Sequence, residues 1–188
     1  MDISERVYGI LTSPHTLRIT FWFKGINGND IFVLGPDFLL VAMSIKANKI
    51  AVVEGGATRG NAVYTAKDDG PRKANTMYIG PNDYASRSFE ALVVHESVHA
   101  IYDLKSAVIP WMDNEAAAYI AQGFYANNVG VPDDHVSRKE FIFLGKLIAN
   151  DFTVNGQIDD LLMGDLRDKL QNDPLYSTYI NQTFIGDG

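Results

Sequence analysis

Leu92-Val93-Val94-His95-Glu96-Ser97-Val98-His99-Ala100-Ile101 is the stretch around which this chain is built. On a helix, residues four apart share a face, so His95 and His99 present two imidazoles to one metal ion. Glu96 stands three residues before His99 and borders that face, within reach of a water molecule at the metal. The string is the H-E-x-x-H arrangement, two zinc ligands and a general base on one helical turn. Its neighbours Val93, Val94, Ala100 and Ile101 are apolar, and Ser97 and Val98 carry no charge. Burying two imidazoles and a carboxylate among such residues costs several kcal/mol without partners, which favours a metal site over a chance match.

Toward the N-terminus, Ser86 or Asp83 is placed to cap this helix, which the pattern carries to Leu104. Upstream of Gly80-Pro81, residues 49–54, 61–66 and 76–79 read as strands, with Gly55-Gly56, Gly60 and the polar run 67–75 between them. Asp37 is placed to cap a helix over 38–47 closed by Asn48, a buried strand being the alternative. From Thr16, Leu17, Ile19, Phe21 and Phe23 alternate with Arg18, Thr20, Trp22 and Lys24, the period of a half-buried strand. Asn27-Gly28 then signals a turn, with 31–34 as hairpin partner. Residues 2–13 read as a short helix with Asp2 and Glu5 as a capping pair, ended by Pro14.

Toward the C-terminus, Pro110 breaks the chain and Asp113 is placed to cap a helix to about Asn127. Ser137 with Glu140 forms a capping box for a helix over 138–150, with Phe141, Leu144, Leu147 and Ile148 inward. A last helix is expected over 157–171 from Ile158, Leu161, Leu162, Leu166 and Leu170, with Pro174 beyond it. The fold class expected is α+β in one domain, 1–188. A small, mainly antiparallel sheet fills residues 1–80, and a helical part over 81–188 carries the H-E-x-x-H helix.

Composition narrows the chemistry. The 188 residues are 46% hydrophobic and 21% charged, with a net charge of -7, which argues against a nucleic-acid surface. Without cysteine, histidine and carboxylates are the only good metal ligands. No apolar run is long enough for a membrane span, and no secretory signal is visible at the N-terminus, so a cytoplasmic location is expected. A di-iron bundle needs a second E-x-x-H, and a serine hydrolase a G-x-S-x-G elbow; the chain has neither.

A second carboxylate segment, Asn114-Glu115-Ala116-Ala117-Ala118, follows closely. With His95-Glu96-x-x-His99 it resembles the gluzincin metallopeptidases, in which a glutamate of an N-E-x-x-[SA] segment on a later helix is the third zinc ligand. The resemblance covers residues 92–122. It departs in its short spacer and at Tyr119, where thermolysin-like members carry an aspartate that orients a ligand histidine. It implies that Glu115 ligates zinc, that Glu96 activates water, and that peptides or proteins are the substrate. Asp103 and Asp113 are the expected replacement acceptors for an imidazole N–H.

Other readings of these residues stand beside this one. Glu115 also reads as an ordinary acid at a helix start, favoured by the dipole. Tyr119 and Tyr102 read as packing residues or as oxyanion stabilisers, and His135 as a solvated loop histidine or a proton donor. As a whole, the chain also reads as a metal-stabilised binding domain without hydrolysis. In gluzincins an edge strand of such a sheet pairs with an extended peptide, so the resemblance implies that one of the segments 49–54, 61–66 or 76–79 borders the cleft.

Overall fold

A side-chain cap or a proline marks the start of most of the helices. The computed structural model describes residues 2–133, 140–151 and 156–188. The Asp2 carboxylate accepts from Ser4 N at 3.3 Å and opens α1 (Ile3–Leu11), whose Ile3, Val7, Ile10 and Leu11 are buried. Pro14 does not end this helix. It begins a second one, α2 (Pro14–Leu17), capped by Ser13, because a proline in the first turn gives up no hydrogen bond. The alternating run therefore becomes strand only at β1 (Phe21–Lys24), which pairs antiparallel with β2 (Asp30–Val33) across the Asn27-Gly28 turn.

The chain then enters α3 (Gly35–Lys46) with Leu34 at the N-cap and Pro36 in the first turn. Asp37 lies inside that turn instead of capping it, and its carboxylate takes Lys105 Nζ at 2.5 Å. The strands β3 (Ala51–Glu54), β4 (Ala62–Thr65) and β5 (Thr76–Ile79) form a second sheet in the order β3-β5-β4. Here β3 runs parallel to the central β5 and β4 antiparallel to it, so β4 is an edge strand. The class is α+β, with the N-terminal strands divided between a hairpin and this mixed sheet.

The H-E-x-x-H stretch lies on α4 (Arg87–Leu104), where the Ser86 hydroxyl accepts from Phe89 N at 3.2 Å. Every residue from Val93 to Asp103 is buried, because α4 packs on α1, α3, β4 and the helix that follows. A helix covered on all sides has little amphipathic signal, which fits its central place. After β6 (Val108–Pro110) the chain turns directly into α5 (Trp111–Asn128), with Pro110 at the N-cap. Asp113 thus sits in the first turn, again not at the cap.

Next come α6 (Glu140–Asn150), α7 (Asp160–Asn172) and β7 (Thr183–Ile185), the last pairing antiparallel with β6. The Asp159 carboxylate caps α7. Ser137 and His135 lie outside the described residues. Leu147 and Leu161 are exposed, against expectation. The inward face of α6 is decided by α5, whose backbone it meets so closely that a Cβ on Gly123 would lie 2.2 Å from Gly145 C. One hydrophobic cluster runs from Ile3 to Phe184. No helix among the described residues is long and apolar enough to cross a membrane.

Candidate metal centre

Helix periodicity puts His95 and His99 on one face of α4, and α5 crosses that face with Glu115 in its second turn. The run Ala116-Ala117-Ala118, fully buried, lets the two helices approach closely. His95 Nε2 lies 3.6 Å from Glu115 Oε2, and His99 Nε2 lies 3.9 Å from Glu115 Oε1. One ligand atom from each residue falls within 4.8 Å of the others, and all three side chains are buried.

These separations are informative. They are too long for hydrogen bonds. Two donor atoms held about 2.0–2.2 Å from zinc at tetrahedral angles are roughly 3.3–3.6 Å apart; the His95–Glu115 separation lies at the end of this range and the His99–Glu115 separation, to the other oxygen, beyond it. Glu115 has no Lys or Arg ion pair among the described residues; the two imidazoles and the Tyr179 hydroxyl face it. Burial pushes its carboxyl up, but charge on His99, contact with His95 and the Tyr179 hydroxyl outweigh this and hold it below the usual range. Two imidazoles and one buried carboxylate are a donor set that could hold a metal ion, of a kind that suits zinc.

Outside the triad, the partners differ from those expected. His99 Nδ1 meets Asn114 Oδ1 at 2.8 Å. With Nδ1–H donating there, the Nε2 lone pair is left facing Glu115. Neither Asp103 nor Asp113 reaches an imidazole. Asp103 accepts from the Tyr64 hydroxyl and Asp187 N, and Asp113 from Ile26 N and Arg167 Nη2. His95 Nδ1 is buried without a partner among the described residues. Tyr119 packs edge-on against the His95 ring, centroids 4.5 Å apart, and its hydroxyl contacts that of Tyr176. Tyr102 donates to Phe32 O, away from the triad, which leaves it a packing role.

Glu96 is buried beside the triad, and its Oε2 accepts from Tyr64 N at 2.8 Å. Burial pushes its carboxyl up to about 7, only partly offset by charge on His99 and the Tyr64 N–H. The triad and Glu96 open into a cleft of about 1150 Å³. One wall is strand β4; the other includes Trp111, Tyr119, Phe141, Tyr176 and Tyr179. Of the three candidate segments, 61–66 is therefore the one that both borders the cleft and forms a sheet edge.

Asn114, Tyr64, Tyr176 and Tyr179 escaped the sequence reading. Asn114 was visible within the N-E-x-x-[SA] segment, where its place beside Glu115 was the available signal. Tyr179, whose hydroxyl lies 3.3 Å from Glu115 Oε1, comes from the turns after α7, which have no period to read. A scan against protein-family models and searches of curated proteins and of solved structures found no match.

Proposed function

We propose that this chain is a zinc-dependent hydrolase that cleaves peptide bonds, with His95, His99 and Glu115 holding the metal and Glu96 acting as general base. The observation that carries the reading is the convergence of three buried ligand atoms, all within 4.8 Å of one another, beside Glu96 in the lining of a cleft. Zinc in such a site supplies Lewis acidity to a carbonyl and to water.

The chain's own groups do the rest. Glu96 accepts the water proton and returns it to the leaving amine, the work of a carboxyl whose pKa is shifted toward neutrality. Its Oε2 is occupied by the Tyr64 N–H, and Oε1 has no hydrogen-bond partner among the described residues, so Oε1 is the atom that takes the proton. Asn114 fixes the His99 tautomer, and Tyr119 packs the His95 ring in place. The resemblance to gluzincins in residues 92–122 supports the same ligand set. Peptides are favoured as substrate because β4 borders the cleft as a sheet edge with no neighbouring strand on that side among the described residues. Asn61 O accepts from Gly80 N on the β5 side, so by alternation 62, 64 and 66 turn their main-chain groups the other way.

Glu96→Gln keeps the size of the side chain and removes the base. The expected result is zinc content equal to wild type and hydrolysis of a casein or peptide-library substrate reduced by at least about 10²-fold. Equal turnover by the variant would rule out Glu96 as base. Absence of turnover by zinc-loaded wild type would leave a metal-stabilised binding domain.

A further inference from the structure

Tyr64 is tied to α4 at two points. Its N–H donates to Glu96 Oε2 at 2.8 Å, and its hydroxyl donates to Asp103 Oδ2 at 2.7 Å. Glu96 and Asp103 are seven residues apart, so they share one face of α4, roughly 10 Å apart along its axis. A tyrosine laid along the helix spans most of that distance from main chain to hydroxyl, and two hydrogen bonds complete it.

The far anchor is rigid. Asp103 is fully buried and has no cationic partner among the described residues. Its Oδ1 accepts from Asp187 N at 3.0 Å, and its carbonyl accepts from Gly188 N at 3.1 Å. A carboxylate held on both oxygens cannot swing. Burial and the Asp103 charge hold the Tyr64 phenol well above its usual range, so it remains a hydrogen-bond donor throughout neutral pH.

We propose that Tyr64 is a positioning residue for Glu96: Asp103 fixes the phenol, the phenol fixes the main chain at residue 64, and that N–H holds one oxygen of the base while leaving the other free. The role follows from the direction of the bond. On a free strand edge the Tyr64 N–H would belong to a pairing peptide; here it is assigned to the base. A peptide lying along β4 must use the outward groups at 62 and 66 and the carbonyl of Tyr64. The edge strand and the base are thereby kept in one fixed relation, so a substrate seated on β4 meets a base already oriented.

This inference rests on Glu96 acting as the base, and its test has one arm that does not. Tyr64→Phe removes the hydroxyl alone. Amide hydrogen exchange at residue 64 should accelerate about tenfold or more, while amides in the core of α4 and β5 keep wild-type rates. General loosening of the structure would speed them all. In zinc-loaded protein, kcat on a peptide substrate should fall about tenfold with KM within about twofold and zinc content unchanged. Asp103→Asn, which keeps a neutral partner for the phenol, should move both readouts the same way by about threefold. It also serves if Tyr64→Phe does not fold. Wild-type exchange at residue 64 in whichever variant folds would overturn the proposal. If wild type shows no peptide hydrolysis, the hydrolase reading fails, and exchange at residue 64 still decides whether Tyr64 holds Glu96.

Discussion

Two carboxylates in the first two turns of α5, Asp113 and Glu115, are both buried and are compensated in opposite ways. Asp113 is satisfied by the chain itself. Arg167 Nη2 reaches its Oδ1 at 2.8 Å and Ile26 N its Oδ2 at 2.9 Å, with the guanidinium also over the Phe23 ring. Glu115 has no Lys or Arg partner among the described residues: it faces two imidazoles at 3.6 and 3.9 Å and accepts from the Tyr179 hydroxyl at 3.3 Å. A buried carboxylate paired with a guanidinium has its countercharge within the fold; one set against imidazoles has a countercharge only if they are protonated or share a cation with it. The two residues thus stand in different settings on one helix, a guanidinium pair for Asp113 and a group that could hold a metal ion for Glu115.

Metal content gives the largest expected contrast. Glu115→Ala, like His95→Ala or His99→Ala, should lose stoichiometric zinc in equilibrium dialysis, whereas Asp113→Asn should keep one equivalent per chain. Retention of full zinc by the His95→Ala, His99→Ala double variant would remove the site assignment.

Stability of the metal-free protein should reverse that ranking. Asp113→Ala leaves the Arg167 charge without its carboxylate and should cost about 3–5 kcal/mol in urea unfolding. Glu115→Ala leaves no Lys or Arg charge unpaired among the described residues and should cost less. Equal losses would mean that the two carboxylates are alike and that the comparison is mistaken. Adding zinc at about a thousandfold over its Kd should stabilise wild type by about 4 kcal/mol and leave Glu115→Ala unmoved.

The smallest effect concerns the residue between them. Asn114→Ala removes the acceptor from His99 Nδ1 and should weaken zinc about 10–100-fold, read by chelator competition, without abolishing the site. An Asn114→Ala protein with wild-type affinity would show that the tautomer of His99 is set by something else.

How legible each residue was follows from how far away its partners are. His95, Glu96 and His99 sit on one helical turn, so their relation was readable before any fold was known. The strands 51–54, 62–65 and 76–79 were readable from short apolar runs between glycines. Glu115 was reached through a resemblance, since no local rule links α4 to α5. Asp103 and Asp113 were misassigned as imidazole acceptors because their real partners, Tyr64, Asp187, Ile26 and Arg167, are distant in sequence. Pro14 misled for another reason: proline both ends helices and begins them, and the Ser13 cap decided for the second.

By itself, then, the chain's order of residues determined that a buried helix would carry two imidazoles and a carboxylate on one side, because 3.6 residues per turn makes that arrangement a property of spacing. Only the tertiary structure decided which later carboxylate would face them, which amide would hold the His99 ring, and which strand edge would lie beside Glu96. Those choices depend on desolvation. Once α4 is covered on every side, each buried polar group must find its partner among whatever the packing brings near, and short-range spacing carries no record of that.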